Sequence, residues 1–329
     1  MRSLFVIIAF SLLIPGAALA QSLGGLGNNA PFTLSASPQY PTPYGTATLS
    51  FLSSSLDLSN AMLSVSSDGK NIYQGSVQPI VVTLGRTGSI THIAATISSG
   101  GTKYSQSLSI QPEDVVLVAE PIASAPPLYP GKPSVPPEGS VRVVAVANME
   151  DASGALLNPA ALSYAWTVDG TQIADASGIG KDVLMVASPL QYRARTVSVA
   201  VMSQDGSLVG GDSLSFSTAN PTVLIYENDP LLGIRFDHAL SGTYTITSVE
   251  STLYAAPFSF PMVSATPALQ WFLDGSAAQT GNVITLRPTG SGAGTATLSL
   301  TASAGSYTTA TANLSLSFGL TTSTNAFGL

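Results

Sequence analysis

The stretch "YAWTVDGTQI", residues 164–173, contains one of the two tryptophans in this chain of 329 residues. The second tryptophan lies in "ALQWFLDGSA", residues 268–277, and both tryptophans are followed by two residues and then Asp-Gly. In the first stretch Tyr164, Trp166 and Val168 alternate with small or polar residues, and a period of two predicts a strand with one buried face. Asp-Gly then predicts a tight turn, because glycine tolerates a positive φ and aspartate hydrogen-bonds its own backbone.

A fainter copy of this phrase precedes both tryptophans. In "LSVSSDGK", residues 63–70, Val65 stands in the tryptophan position, 101 positions before Trp166, and Trp271 follows Trp166 by 105 positions. Each copy continues into a short apolar strand and a hairpin, which gives about seven strands per ~100 residues with no helical period. The sequence therefore predicts an all-β fold of three tandem immunoglobulin-like β-sandwiches. Val65, Trp166 and Trp271 are the residues expected at the centre of the three cores.

Each predicted module also opens with two strands. The two opening strands are expected at 32–37 and 46–52, at 115–120 and 141–147, and at 222–227 and 243–249. The joins between modules are short, as in "QPED" at 111–114, and short joins predict a stiff rod.

The first twenty residues are typical of a secretory signal peptide. Arg2 precedes an apolar run at 4–14, and Ala18-Leu19-Ala20 forms a small-residue cleavage site. We therefore expect a secreted or cell-surface protein without a membrane span in the mature chain. The predicted organisation is a signal peptide at 1–20, a flexible linker at 21–31, immunoglobulin-like domains at 32–112, 113–218 and 219–319, and a tail at 320–329.

Composition excludes several classes of function. The formal charge is −7 and only 9% of residues are charged, so the chain offers no basic surface for nucleic acid. The absence of cysteine excludes disulfides, thiolate zinc sites, cysteine nucleophiles and iron–sulfur clusters. Stability must then come from sheet packing, for which an apolar fraction of 45% is sufficient.

Two long segments separate the opening strands of the second and third modules. They are "PIASAPPLYPGKPSVPPEGS" at 121–140 and "NDPLLGIRFDHALSG" at 228–242. One interpretation is that proline blocks strand pairing at an exposed edge. The other is a contact loop that packs on a neighbouring module or on a partner. The residues expected to make such contacts are Tyr129, Pro130, Lys132, Leu231, Leu232 and Phe236.

The same regions carry a resemblance. The runs "EDVVLVAEPIASAPPLYPGKPSVPPEGSVRVVAV" at 113–146 and "NPTVLIYENDPLLGIRFDHAL" at 220–240 each lead to a Trp-x-x-Asp-Gly strand. Over residues 113–318 the chain resembles secreted bacterial PKD-like or immunoglobulin-like repeat proteins of the cell surface, often found with type IV pilus components in small-genome, uncultured bacteria. The resemblance implies a β-sandwich fold and a surface location, and it brings no catalytic residues.

Candidate reactive residues are few. His92 alternates with Ile93 and is expected on a solvent face, and adjacent Asp237 and His238 could begin a hydrolase triad but lack a Gly-x-Ser-x-Gly elbow. Acidic groups lie at 113–114, 150–151 and 227–229, and two of the three lie at module joins. They could bind Ca²⁺, although no Asp-x-Asp-x-Asp loop is present. We expect no cofactor and no metal. Loop aromatics could instead stack on sugars, and these are Tyr40, Tyr44, Tyr129 and Phe236.

The sequence therefore favours a non-enzymatic structural or adhesive surface protein, with pilus or cell-envelope proteins, or glycans, as its partners. A carbohydrate-binding surface module is the alternative, and a hydrolase is a third hypothesis.

Overall fold

The computed structural model describes residues 31–151, 153–262, 266–289 and 292–319. The predicted signal peptide, residues 21–30 of the linker and the tail at 320–329 lie outside these ranges. The described residues form strands joined by turns, with two short 3-10 helices at Pro159–Ala161 and Ala174–Ala176. Within the same ranges the strands make three pairs of sheets, so the predicted all-β fold of tandem sandwiches is confirmed.

The first sandwich packs a three-stranded sheet on a four-stranded sheet. Its strands are β1 (Thr33–Ser37), β2 (Thr46–Leu52), β3 (Met62–Ser67), β4 (Lys70–Ser76), β5 (Ile80–Thr83), β6 (Thr91–Ser99) and β7 (Thr102–Ile110). One sheet has the order β1-β2-β5 and the other β4-β3-β6-β7. The period of two in β6 buries Ile93, Ala95 and Ile97 between the sheets and leaves His92 exposed.

The second sandwich repeats this arrangement. Its strands are β8 (Asp114–Pro121), β9 (Ser140–Asn148), β10 (Ser163–Val168), β11 (Thr171–Gln172), β12 (Gly178–Ile179), β13 (Val183–Ala187), β14 (Ala194–Met202) and β15 (Val209–Ser217). One sheet has the order β13-β9-β8, and the other has the order β11-β10-β14-β15 with β12 also pairing with β10. Val141 and Val143 of β9 and Val197, Val199 and Val201 of β14 are all buried, at 0–1% exposure.

The third sandwich is larger. Its strands are β16 (Thr222–Asp229), β17 (Gly233–Leu240), β18 (Thr243–Ile246), β19 (Ser251–Phe258), β20 (Ala268–Leu273), β21 (Ser276–Thr280), β22 (Val283–Leu286), β23 (Gly294–Ala304) and β24 (Thr308–Phe318). The sheets have the orders β17-β16-β19-β22 and β18-β24-β23-β20-β21. Leu253, Leu298, Leu300 and Trp271 are completely buried in the core between them.

The structure corrects the prediction for the opening of this module. Residues 243–249 were expected to form the second strand beside 222–227, but only Thr243–Ile246 is a strand, and it pairs parallel to β24. The partner of β16 is β19, in which Leu253 and Ala255 point into the core. The apolar and polar residues of β19 do not alternate regularly, because Ala-Ala-Pro at 255–257 interrupts the pattern. Tyr244 and Ile246 do alternate with threonine over one short stretch, which is why the sequence favoured 243–249. In addition, residues 233–240 form strand β17 rather than part of a long loop.

The two tryptophans and Val65 occupy equivalent places in the three cores, and each side chain is 0% exposed. All three lie on the strand that pairs with the first arm of the following hairpin. Their cross-strand neighbours are Ala95 for Val65, Val199 for Trp166 and Leu300 for Trp271. The indole Nε1 of Trp166 donates to the carbonyl of Lys181 at 2.8 Å, and that of Trp271 donates to the carbonyl of Gly281 at 2.9 Å. Each buried indole therefore has its polar atom satisfied.

Each Asp-Gly turn is also fastened to the next strand pair. Both residues of each turn have a positive φ, from 47° to 81° across the three copies. The aspartate N–H donates to a carbonyl of the following hairpin, and its Oδ1 accepts the N–H of that same residue. These reciprocal pairs are Asp68 with His92, Asp169 with Thr196 and Asp274 with Thr297, at 2.8–2.9 Å. The repeated aspartate therefore closes the sandwich end as well as forming the turn.

Two compact units emerge from the contacts of the described residues. Of the described residues, the first unit comprises those up to Asp114 together with the described parts of Met149–Leu156 and Gly206–Gly210, and the second comprises Val115–Asn148, Leu157–Asp205 and those from Gly211 onward. The second unit thus holds most of the second sandwich together with the third. In the described ranges no helix is long and apolar enough to cross a membrane.

Candidate partner-binding surface

The proline loop, residues 121–140, connects β8 to β9 and lies against the third sandwich. Ser124 is its anchor and is 4% exposed. Its N–H donates to the carbonyl of Phe260 at 2.8 Å, its carbonyl accepts the N–H of Ser259 at 2.8 Å, and its Oγ accepts the N–H of Phe260 at 3.0 Å. A bridge between Ala123 and Pro261 extends this pairing. The loop therefore joins the second sandwich to the third by main-chain hydrogen bonds.

The far end of the proline loop makes a second attachment. Glu138 accepts hydrogen bonds from the N–H of Tyr307 and the hydroxyl of Thr308, both at 3.0 Å, at the turn between β23 and β24. These donors, led by the Tyr307 N–H, hold the pKa of the exposed Glu138 carboxyl below its usual range. Between the anchors, the carbonyl of Val135 accepts the N–H of Ala219 at 2.9 Å. Of the two interpretations of this segment, the structure shows contact with the neighbouring module.

Tyr129 and Phe236, predicted on separate contact loops, each pack against aromatic rings of the third sandwich. The ring of Tyr129 packs edge-to-face on Phe258 at 5.5 Å. Phe236 packs edge-to-face on Tyr226 at 5.2 Å and on Tyr254 at 6.0 Å. Burial raises the pKa of Tyr226, and the Tyr129 phenol adds to the rise.

The name aromatic cluster covers both sets of rings, which are Tyr129 with Phe258, and Phe236 with Tyr226 and Tyr254. Tyr129 comes from the proline loop, and the other rings come from β16, β17 and β19. Because its rings pack against one another, less of their faces remains for a sugar to stack on. Tyr129 and Phe236 retain only 44% and 38% exposure. The cluster therefore acts mainly to hold the proline loop and β17 on the sheet.

Leu231 and Leu232 stand at the tip of the β16–β17 hairpin and are 92% and 71% exposed. The Oδ1 of Asp229 accepts the N–H groups of both leucines, at 2.8 and 2.9 Å, and so fixes the tip. These hydrogen bonds, with Leu232 first, hold the pKa of the Asp229 carboxyl below its usual range. A rigid tip that presents two apolar side chains to solvent is suited to contact with another surface.

The remaining predicted contact residues, Pro130 and Lys132, are exposed on the proline loop beside Leu128, which is also fully exposed. Sequence reasoning missed Ser124 and Glu138, the two anchors of this loop. A serine and a glutamate among seven prolines carry no pattern that distinguishes a buried anchor from a solvated loop residue.

The structure gives the residues considered for a hydrolase other partners or leaves them exposed. Asp237 forms two hydrogen bonds with Arg235, at 3.1 and 3.2 Å, and His238 is exposed on β17. The Nδ1 of His92 lies 3.1 Å from the hydroxyl of Ser109, an exposed pair on neighbouring strands. Neither histidine is arranged with a carboxylate and a hydroxyl as a triad requires.

The acidic groups considered for Ca²⁺ have mostly local partners. Glu150 pairs with Arg86 at 3.2 Å, and Asp151 caps its own turn through the N–H groups of Ser153 and Ala155. Glu113 is buried, and neither carboxyl oxygen makes a hydrogen bond within the described part of the chain. Over those same ranges no three His, Cys, Asp or Glu side chains gather as a metal site would require.

Comparisons with known proteins place only the fold in context. No known protein family and no curated protein matches the chain. Among solved structures, the three N-terminal domains of the Highly Immunogenic Outer Capsid protein of bacteriophage RB49 match with a TM-score of 0.24 and 11% identity, over 88% of this chain and 99% of that one. The central fibronectin-III array of RIM-binding protein matches with a TM-score of 0.30 and 8% identity, over 85% and 93%. Likenesses this low say nothing about what this chain binds.

Proposed function

We propose that this chain is a secreted or cell-surface structural or adhesive protein without enzymatic activity. The observation that carries the proposal is the firm attachment of the proline loop to the third sandwich, combined with the apolar tip at Leu231 and Leu232. Rigid scaffolds that present a few loop residues are the usual design of contact proteins. Exposed apolar side chains on such a tip have no role in the core and are available to a partner.

Bacterial pilus or cell-envelope assembly is the finer form of this proposal. Its support is the sequence resemblance of residues 113–318 alone. The stiff rod expected from the short joins, and the three domain boundaries, stay predictions.

Adhesion of coated beads tests the proposal. Beads carrying residues 21–329 are incubated with intact cells of the producing organism, alongside beads carrying Leu231→Ser/Leu232→Ser. We expect the wild type to bind and the double variant to bind several-fold less with an unchanged thermal midpoint. Val249→Ser is a suitable control, because Val249 is also 90% exposed but lies in a different turn. Failure of wild-type beads to bind, or recovery of the native protein in the cytosol, would overturn the proposal.

A screen for turnover tests the non-enzymatic part. Purified protein is assayed with chromogenic esters, glycosides and peptides, and no turnover is expected. Activity that is present in the wild type and lost in His238→Ala would contradict it.

The alternative, carbohydrate binding, gains no support from Tyr129 and Phe236, whose rings are engaged in the aromatic cluster. Tyr40 is partly buried in the first sandwich and burial raises its pKa, while Tyr44 is 74% exposed. The observation that favours sugar binding lies elsewhere, at Tyr192.

A further inference from the structure

An open cleft of about 500 Å³ lies in the second unit, at the end of the second sandwich. One wall is the turn between β13 and β14, residues 190–193, and the other is the segment 217–220 that leads from β15 to β16. A volume of this size is within the range of small-molecule sites in proteins. We call it the Tyr192 cleft.

Tyr192 is the most unusual residue of this cleft. Its side chain is 94% exposed, and its backbone has a φ of +64° in a turn closed by a hydrogen bond from the N–H of Arg193 to the carbonyl of Leu190 at 3.0 Å. Glycine or asparagine would fit this backbone with less strain than an aromatic residue. Neither core packing nor turn chemistry therefore explains the ring, and a ligand that stacks on it would.

Arg193 differs from the other arginines of the described residues, because it alone has no carboxylate partner. The other five form ion pairs, which are Arg86–Glu150, Arg142–Glu120, Arg195–Asp169, Arg235–Asp237 and Arg287–Glu250. Arg193 is exposed at the cleft, where its guanidinium keeps its full set of donors. A planar guanidinium with free donors is suited to bidentate binding of a carboxylate.

The remaining lining supplies neutral hydrogen-bonding groups. The Nε2 of Gln191 donates to the Oδ1 of Asn220 at 3.4 Å, which leaves the amide N–H₂ of Asn220 and the carbonyl of Gln191 open to a ligand. The hydroxyl of Thr218 is buried and has no hydrogen-bond partner among the described residues. An unsatisfied buried hydroxyl costs free energy unless a ligand or water completes it. Amides and hydroxyls of this kind recognise the hydroxyl groups of a sugar.

We propose that the Tyr192 cleft binds an oligosaccharide that contains a uronic acid. The ring of Tyr192 stacks on the face of the sugar, Arg193 binds the carboxylate, and Gln191 and Asn220 hydrogen-bond the ring hydroxyls. The inference is independent of the adhesive proposal, because soluble sugar is bound without any second surface.

Titration with defined sugars tests the inference. Trisaccharides of galacturonate, glucuronate, mannuronate and guluronate are added to the full mature chain, with binding followed by calorimetry and by amide shifts of residues 190–193 and 217–220. We expect at least one acidic trisaccharide to bind and to shift these amides, and its methyl ester to bind at least 10-fold more weakly. A sulfated neutral trisaccharide forms a separate arm, because sulfate shares the negative charge but not the planar geometry of a carboxylate.

Three variants distinguish the contribution of the Tyr192 ring to binding from that of the Arg193 charge and from any change in stability. Arg193→Gln and Tyr192→Gly are each expected to weaken binding at least 10-fold, while Tyr192→Gly keeps or raises the thermal midpoint because glycine tolerates the turn. Tyr44→Ala is the control, since Tyr44 is also exposed with a φ of +56° but lies in the first sandwich. Absence of binding across the acidic panel, equal binding of the ester, preference for the sulfated sugar, or unchanged binding in both cleft variants would overturn the inference.

Discussion

At the scale of single residues, the aspartate of each Asp-Gly turn explains why the phrase recurs. In the third sandwich Asp274 has a φ of 47°, donates its N–H to the carbonyl of Thr297 and accepts the N–H of Thr297 in return. Asparagine tolerates a positive φ and offers the same acceptor, whereas alanine does neither. The two substitutions therefore distinguish the role of this residue from that of its charge.

We expect Asp274→Ala to lower the free energy of unfolding by about 1–3 kcal/mol, because the Thr297 N–H loses its acceptor and the turn gains strain. Asp274→Asn is expected to remain within roughly 0.5 kcal/mol of wild type, as surface changes usually do. Urea denaturation of the three proteins measures both. Equal loss in the two variants would show that the hydrogen-bond geometry is not what stabilises the turn.

A second prediction at the residue scale concerns the buried Trp166. Its side chain is 0% exposed and its Nε1 donates to Lys181. Trp166→Ala should cost about 3–5 kcal/mol by loss of packing and creation of a cavity. Thermal denaturation followed by circular dichroism measures the effect, with Leu190→Ala as the control because Leu190 is 70% exposed. A midpoint equal to that of wild type would contradict the core position.

Glu113 makes the stability of the first unit depend on pH. Burial raises the pKa of its carboxyl from 4.5 to about 7, and the Glu150 carboxylate adds to the rise, whereas a backbone interaction with Glu150 opposes it. The charged group that pairs with Glu150 is Arg86. The folded state binds this proton more tightly than the unfolded state does. Protonation of Glu113 therefore contributes fully to the free energy of unfolding below pH ~4.5, and this contribution is lost as the pH rises to ~7.

The glutamine of Glu113→Gln cannot ionise, so the variant does not lose stability as the pH rises. We expect the variant to melt several degrees above wild type at pH 8 and to match it at pH 4.5. Asp175→Asn, an exposed substitution in the other unit, controls for the change in net charge. The same difference between wild type and Glu113→Gln at both pH values would contradict the assignment of the titration to Glu113.

At the scale of elements, the proline loop is the connection that unites two sandwiches. Its anchor Ser124 is buried, and its Oγ accepts the N–H of Phe260, itself 0% exposed. Ser124→Ala leaves that N–H without a partner and should cost about 1–3 kcal/mol. The direct measurement is hydrogen exchange at the Phe260 amide, which is expected to accelerate at least 10-fold.

Ser107→Ala is the matched control, because Ser107 is an exposed serine on β7 of the first sandwich. It should leave exchange at Phe260 unchanged. Slow exchange at Phe260 in Ser124→Ala would mean that the loop is not held by this serine.

Most strands were predictable because their sequences follow the period of two. The hairpin arms and the strands of the tryptophans are examples, since Val197, Val199 and Val201 alternate with exposed or half-buried residues. The opening of the third sandwich was not predictable in the same way. Tyr244 and Ile246 alternate in β18, but the choice between β18 and β19 as partner of β16 depends on which residues fill the core at long range.

At the scale of the whole molecule, the sequence predicts the sandwich architecture better than the surfaces. Tyr129, one of the predicted contact residues, packs on Phe258, which no local pattern could show because the two are more than a hundred positions apart. The Tyr192 cleft was also missed, since its walls come from segments 190–193 and 217–220. Cores follow from periodicity, whereas surfaces depend on which distant loops the fold brings together.

The central claim is that a large buried residue fastens the two sheets of each tryptophan-bearing sandwich, and tryptophan fluorescence tests it most directly. Trp271→Phe leaves Trp166 as the reporter of the second sandwich, and Trp166→Phe leaves Trp271 as the reporter of the third. In both variants we predict emission shifted to the blue of the urea-unfolded chain and resistance to quenching by iodide. Emission at the unfolded wavelength with full quenching in either variant would contradict the account.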